Sequence, residues 1–402
     1  MLSVEEARRR LLAMAPEPRV ETVPLAGALG RAPADEFIVS SVDVPPFANS
    51  AMDGFAVRAA DLPGRLPVIG EVAAGATQGP VIQPGTSIRI STGAPLPPGA
   101  DTVVALERAT EADGAIEVTE PIPAGSDVRA AGHDTLAGEA VQLPNPLTPA
   151  AIGVLASLGV PEVAVRARPR VAILSSGEEL VAPGTPLQSG QIYDANAVSL
   201  AAAVTDAGGD PLLRGHVGDD PDDVARALTD AAAEAEVVLT SGGVSVGRHD
   251  HVRGVIERLG RLDFWRIAMQ PGKPLAVGVV NGRPVIGLPG NPVSALVVTE
   301  LLVRPLIRAV LGLAGDGRIH VEAMLDEDLR KDPDRTAYLR VRVRRTDAGW
   351  AARPAGGQLS SQLRALAAAN GLLVVPVGEP AGRARQPYET ILLSEPDAAE
   401  NR

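Results

Sequence analysis

The sequence predicts an α/β multidomain protein built on a doubly wound parallel sheet, with small β domains and an N-terminal α+β segment beside it. Three observations carry this reading. The chain has 402 residues, more than one ordinary core accommodates. Between Arg170 and Leu311, apolar strands alternate with amphipathic stretches of helical period, as in parallel strands joined by right-handed crossovers. From Ser41 to Asp134, and again after Gly312, short apolar runs are separated by glycine and proline, the spacing of small β domains.

Local chemistry justifies the elements in order. Ser3 and Glu6 form a capping-box pattern ahead of a helix over residues 4 to about 14, and 20–24 reads as a strand. Residues 25–31 read as a helix or turn. Within the first β region, the runs 66–70, 87–90 and 102–105 are interrupted by two polar turns, 46–58 and 91–101. Thr148 suits an N-cap and Pro149 the first helical position of a helix to Leu158, which Gly159 and Pro161 end. A strand over 171–174 then runs into Ser175-Ser176-Gly177-Glu178-Glu179. A helix over 196–207, a strand over 212–214, a turn over 218–221 and a helix over 222–233 follow.

Residues 237–250 pass from a β-branched strand through a glycine loop to a helix start, the place where open α/β sheets bind anions. Val252, Val255, Ile256 and Leu259 then mark one helical face. Strands over 276–280 and 285–288 add to the sheet, and Asn291 with Pro292 repeats the cap-then-proline start of a long helix to about Leu311. Residues 338–344 alternate apolar and basic side chains, which predicts a half-exposed strand whose arginines form a solvated face, one or two of them within reach of a phosphate. With 372–375 and 390–393 this strand suggests a small C-terminal barrel.

Composition narrows the function. Cysteine is absent, which removes disulfides, thiolate catalysis and cysteine-ligated metals. The five histidines show no ligand spacing. A net charge of −12 argues against general nucleic-acid binding, though one small polyanion remains compatible with it. No apolar stretch reaches membrane length and no signal-peptide pattern opens the chain, so a cytoplasmic enzyme is expected. Of 37 basic residues, only Lys273 and Lys331 are lysine, which makes Lys273 in Pro271-Gly272-Lys273-Pro274 a place where a compact ammonium is wanted.

Loop carboxylates at Glu178, Glu179, Asp219, Asp220 and Asp250 make a pattern suited to magnesium, a hard cation that takes oxygen ligands beside a phosphate. Taken singly, Glu178, Asp220 and Asp222 also fit solvated or capping acids. The glycine loop has neither GxGxxG nor a Walker lysine, so dinucleotide and P-loop folds are not indicated. Ser241, Gly242, Gly243 and Ser245 can offer N–H and hydroxyl groups to a phosphate or pterin, or the glycines can simply let the strand turn. His249 and His251 flank Asp250, but residues two apart at a helix start do not face one another, and no nucleophile motif accompanies them.

Five stretches occur in order: Asn49-Ser50-Ala51-Met52-Asp53-Gly54, Ser91-Thr92-Gly93-Ala94-Pro95, Ser241-Gly242-Gly243-Val244-Ser245-Val246-Gly247, Pro271-Gly272-Lys273-Pro274 and Gly287-Leu288-Pro289-Gly290-Asn291-Pro292. Over nearly the whole chain this pattern resembles the MoeA-type molybdopterin molybdenumtransferases, related to the E domain of gephyrin. The resemblance implies a Mg2+-dependent enzyme of molybdenum cofactor biosynthesis that inserts molybdenum from molybdate into adenylyl-molybdopterin and releases AMP. It implies a homodimer of four-domain subunits whose active site is shared between subunits. The segments would be 1–40 with 135–168 (an elongated dimerisation domain), 41–134 (an inserted β domain), 169–312 (the α/β molybdopterin-binding domain) and 313–402 (the C-terminal β-barrel domain).

By position, Asp53, Thr92, Glu179, Asp219, Asp250 and Lys273 fall on catalytic positions of that family, with Glu179, Asp219, Asp250 and Asp134 on the metal side. Ser241, Gly242, Gly243, Ser245, Arg266, Pro289, Asn291, Pro292, Arg340 and Ser360 or Ser361 fall on the substrate side. Ala48 stands where an aspartate is frequent, and Arg266 and Gln270 stand where family lysines occur, which leaves cationic assistance to Lys273 and Arg266. Two other functions compete. The preceding adenylyltransferase shares the α/β domain, and is also an expected partner; the additional β domains and the Asn49–Gly54 motif favour the later step. A gephyrin-like scaffold is disfavoured by the lack of a long linker.

Overall fold

A computed structural model describes residues 1–77, 79–218, 220–243 and 251–396. The chain divides into two compact units, Met1–Glu21 with Arg166–Arg402, and Thr22–Val165. Among the described residues no helix is long and apolar enough to cross a membrane.

The larger unit is organised by a six-stranded sheet in the order Asp210–Val217, Arg170–Ser176, Val237–Ser241, Arg283–Leu288, Ala276–Val280, Gly260–Trp265. The first four strands are parallel, as expected from the alternation of strand and helix. The last two pair antiparallel, which differs from an all-parallel sheet. The reason is local: Asn281 and Gly282 both hold positive φ (50° and 75°), so they close a two-residue hairpin of the kind that Asn-Gly favours.

Each face of this sheet is covered. One carries Val171, Ile173, Val237, Leu239 and Ile286 against the helices Val4–Leu12, Ala195–Asp206 and the column beginning at Pro292. The other carries Ala172, Leu174, Val238 and Val285 against Pro221–Glu234 and Val252–Leu259. Alternate strand residues thus serve opposite cores, and each fully buried aliphatic side chain contributes about 1.5–3 kcal/mol. Helix starts follow their caps: Ser3 accepts from the Glu6 N–H, and Asp220 from those of Asp222 and Asp223, so Asp220 serves as a cap. The final helix is an α–π–α column, Pro292–Val298, Thr299–Val303 and Arg304–Val310.

After Gly312 the chain forms a second sheet. Thr336–Thr346 pairs with both Gly349–Pro354 and Gly371–Val375, which closes it into a small barrel with Ile319–Leu325 and Pro387–Leu392. Its lining includes Leu325, Leu339, Val341, Val343 and Leu373. Here the expectation of a solvated arginine face fails at Arg340, which is 0 % exposed.

The smaller unit, Thr22–Val165, contains a six-stranded sheet in the order Thr102–Ala105, Gly54–Val57, Ser87–Ile90, Gly64–Val72, Ala115–Val118, Thr110–Ala112. Phe55 and Val57 face one core and Ala56 the other, the period of two that a strand covered on both faces requires. A further cluster joins Leu143 and Leu147 to Ala151 and Leu155 of the helix Pro149–Ser157, whose cap is Thr148.

A charge network joins the α/β sheet to the barrel within the larger unit. Arg318 donates to Glu300 Oε1 (2.6 Å) and Asp206 Oδ2 (2.7 Å), and Arg304 donates to the same Asp206 oxygen (2.6 Å). Next to it, His320 lies between Glu389 (2.8 Å) and Asp316 (3.0 Å). Burial opposes the charged imidazole, but these two carboxylates outweigh it and raise its pKa above the ordinary histidine value. A raised folded pKa means that the stabilisation is complete below the unfolded value near 6.5 and is lost as pH rises through the folded value. Because the ring is partly exposed, the effect is small. The melting temperature should fall by about 1–2 °C between pH 6 and 9 in excess of that of His320→Gln, as followed by calorimetry; parallel pH profiles for the two proteins would contradict this.

Candidate functional site

Parallel α/β sheets leave a crevice outside the carboxyl ends of their strands, where neighbouring connections diverge. In the larger unit the strand Arg170–Ser176 is followed by a connection to one neighbour, Asp210–Val217, while Val237–Ser241 lies on its other side. The loops after Arg170–Ser176 and Val237–Ser241 both line a cleft of about 1060 Å³. Glu179 comes from the first, Gly242 and Gly243 from the second, and Pro289, Gly290, Asn291 and Pro292 from the loop after Arg283–Leu288. Residues 270–274, with Lys273, form another wall, and Asp332, Arg335 and 358–361 come from the barrel side.

Backbone chemistry builds the floor. Gly242 has φ +93° and donates its N–H to Leu288 O (3.1 Å), and a Cβ there would meet Ser176 O at 2.9 Å. Gly243 has φ +69°, and a Cβ there would strike Val252 at 2.8 Å. Both positions therefore demand glycine for conformation and space. The Gly242 amide is already spent on the sheet. Ser241 is buried, and its hydroxyl accepts from Asn196 Nδ2 (2.7 Å); the cleft lining does not include it. The same Asn196 nitrogen donates to Gly290 O (2.8 Å), so one amide fastens the glycine loop to the proline loop.

The proline loop is also fastened from the barrel side. Asn291 occupies the N-cap position of Pro292–Val298, as expected, yet its side chain makes no cap bond and instead donates to Ser360 Oγ (3.0 Å). Val293 N–H donates to Ser360 O (3.2 Å). Behind Ser360, Arg340 donates to the carbonyls of Gly357 (3.2 Å) and Leu359 (3.3 Å). Gln358 accepts from the Arg340 N–H (3.0 Å) and donates to its carbonyl (3.0 Å). Burial without a counter-charge pushes the Arg340 guanidinium down to about 10. Arg340 thus holds the loop that lines the cleft from beneath and is not itself part of the lining.

Two basic side chains line the cleft among the described residues, Lys273 and Arg335. No described carboxylate pairs with Lys273, whereas Arg335 pairs with Asp332 (2.8 Å). Arg266, expected to assist Lys273, is absent from the lining. Its φ is +66° and its guanidinium stacks 3.7 Å from the Trp265 ring centre, opposite in role to a free anion ligand.

In the smaller unit, the two polar turns meet. Asp53 Oδ1 accepts from Thr92 N–H (2.7 Å), Gly93 N–H donates to Ser50 O (2.8 Å), and Asp53 and Thr92 are both exposed. Gly54 has no alternative: a Cβ there would lie 2.0 Å from Val104 O. Asp134 is exposed in the same unit, its N–H donating to Val44 O (2.9 Å).

Asp219, Ser245, His249 and Asp250 lie outside the described residues. Of the acids expected around magnesium, two are described: Glu179 lines this cleft, and Asp134 belongs to the other compact unit. Among the described residues no three His, Asp or Glu side chains form a group that could hold a metal ion. The described donor set therefore does not assemble the expected site. Sequence reasoning missed Asn196, Asp332, Arg335 and Gln358. For Arg335 a signal existed, since it lies four residues after one of only two lysines.

Comparison with known proteins agrees with this layout. Family models match three consecutive regions: the MoeA N-terminal region (domain I and II) over residues 2–159, a probable molybdopterin binding domain over 172–309, and the MoeA C-terminal region (domain IV) over 322–383. Molybdopterin molybdenumtransferase 2 of Mycobacterium tuberculosis is 39% identical over 390 residues, covering 94% of this chain and 96% of that protein. The molybdopterin molybdenumtransferase of Haemophilus influenzae is 40% identical over 317 residues, 78% of each chain. Two structures of the molybdopterin biosynthesis MoeA protein from Pyrococcus horikoshii superimpose with TM-scores of 0.84 and 0.80 at 34% and 28% identity, covering 98% of this chain and 100% of those. With its three regions in this order and its relatives matched along most of their length, the chain belongs to the MoeA-type molybdopterin molybdenumtransferase family.

Proposed function

We propose that this protein acts in molybdenum cofactor biosynthesis as a molybdopterin molybdenumtransferase, inserting molybdenum from molybdate into adenylyl-molybdopterin with release of AMP. The observation that carries the reading is the cleft at the carboxyl ends of the parallel strands, lined mostly from the region that matches a molybdopterin-binding domain, with Lys273 in its wall and no described carboxylate paired with it. A compact ammonium with no carboxylate partner among the described residues suits a phosphate or molybdate oxygen. Pro289 and Pro292, with the glycine floor, give a rigid wall for the pterin. In the reaction, an oxygen from molybdate or water opens the phosphoanhydride and AMP leaves, with Lys273 neutralising charge on the departing phosphate.

Arg340 positions Ser360 for this work through the 357–359 carbonyls. Magnesium would require Glu179 together with acids outside the described residues. Asp53 and Thr92 form a second, exposed polar group, which fits a role in completing the cleft of the other subunit in a cytoplasmic homodimer. The adenylyltransferase of the preceding step is the expected supplier of the substrate.

Two experiments test the reading. AMP release from adenylyl-molybdopterin should depend on molybdate and fall by roughly a hundredfold in Lys273→Ala, with the melting temperature unchanged. ATP consumption with metal-free molybdopterin would instead assign the preceding step, and pterin-independent capture of a partner peptide would favour a scaffold. For the shared site, Asp53→Asn and Lys273→Ala should each keep only about 1% of the wild-type rate alone, and mixing them with subunit exchange should restore about a quarter of it. A monomer by light scattering, or no recovery on mixing, would rule the shared site out.

A further inference from the structure

The barrel contributes to the cleft a short turn, 331–335, whose construction is costly for a surface loop. Lys331 is 8 % exposed and spends its ammonium on two carbonyls, those of Asp332 (3.0 Å) and Arg335 (2.6 Å). Burying a cation is unfavourable unless acceptors and opposite charges offset it, and here the two carbonyls are joined by the nearby carboxylates of Glu379, Asp332 and Asp334. Further bonds fix the same turn. Asp332 N–H donates to Gln270 Oε1 (3.2 Å), Asp332 Oδ1 accepts from Asp334 N–H (3.0 Å), and Thr336 N–H donates to Ala268 O (3.0 Å). The turn is therefore stitched to the segment that carries Lys273.

What this scaffold presents to the cleft is one ion pair, Arg335 with Asp332, their side chains 25% and 33% exposed. Arg335 is incompletely used: Asp332 takes one terminal nitrogen, and Nε is buried with no hydrogen-bond partner. A guanidinium carries five donors in a rigid fork suited to tetrahedral oxyanions. Among the described lining residues, Lys273 and Arg335 offset the carboxylates of Glu179 and Asp332, so the cleft is far less acidic than a protein of net charge −12 as a whole.

We propose that Arg335 is a second oxyanion contact in this cleft, facing the same ligand as Lys273, and that Asp332 holds it in place while competing with the incoming anion. The consequence is a pair of opposite effects. Losing Arg335 weakens oxyanion binding, whereas losing the Asp332 charge strengthens it, because the competitor is gone and the main-chain bonds that build the turn remain. The oxyanion is either the nucleotide phosphate or molybdate, which share this chemistry, and the identification of those ligands rests on the function proposed above.

The test is titration calorimetry with AMP and, separately, sodium molybdate on the full chain, together with kcat and KM for AMP release. Arg335→Gln should weaken binding of one probe and raise KM by about tenfold while kcat changes less than about threefold, and Arg335→Lys should recover part of the loss. Asp332→Asn should tighten the same probe several-fold. An effect confined to AMP assigns the phosphate, and one confined to molybdate assigns the metal oxyanion. Unchanged affinity for both probes in Arg335→Gln, or equal weakening in both variants with a lowered melting temperature, would overturn the proposal. If the wild-type protein released no AMP but still bound either probe through Arg335, the functional reading would fail and this inference would stand.

Discussion

The cleft depends on two loops being held against each other, the glycine loop after Val237–Ser241 and the proline loop after Arg283–Leu288. The Gly242 N–H closes on Leu288 O, and a Cβ on Gly242 would meet Ser176 O at 2.9 Å. Glycine is needed at 242 and 243 for conformation and for space, and Asn196 then locks the two loops to each other. Those residues shape the floor, and the chemistry comes from side chains delivered to its rim. A glycine-rich loop is easily taken for the anion ligand itself, but here the Gly242 amide already serves the sheet.

Charge placement follows a similar economy. The lysines are both used where a point charge on a flexible stem is required: Lys273 in the cleft wall, and Lys331 folded back onto carbonyls. Arginines serve where planarity matters. Arg340 bridges two carbonyls while buried, Arg266 stacks on an indole, and Arg318 and Arg304 share Asp206 between sheet and barrel. The first of these is the more telling, since a fully buried guanidinium without a carboxylate is tolerated only where its donors find fixed acceptors.

Elements whose signals are local were readable from sequence. Thr148 ahead of Pro149, and Asp220 ahead of Pro221, mark helix starts through bonds made within three residues, and the structure places both as caps. The Asn49–Gly54 and Ser91–Pro95 turns were recognised as separate motifs, but their junction, an Asp53–Thr92 bond across 39 residues, is a tertiary fact. Arg340 was misread for the same reason. Period-two alternation indicates which side of a strand a residue takes, but not that carbonyls 17 and 19 residues later cover that side. The antiparallel turn at Asn281 and Gly282 had a local signal, whereas run-based strand assignment carries no direction. Asn196 acts only through partners far along the chain, so nothing in its neighbourhood set it apart, whereas Arg335 takes its partners from the same turn, beside Lys331.

The stacking of Arg266 and Arg253 on Trp265 has an optical consequence. Trp265 and Trp350 are the chain's two tryptophans, and Tyr193, Tyr338 and Tyr388 its three tyrosines. All five belong to the unit formed by Met1–Glu21 and Arg166–Arg402. The Thr22–Val165 unit, which holds Asp53 and Thr92, has phenylalanine as its sole aromatic residue and is dark near 280 nm. Indole emission therefore reports on the half that contains the cleft, with Trp265 in the strand that leads into the Lys273 segment, while the other half stays spectrally silent and open to a label of the experimenter's choosing.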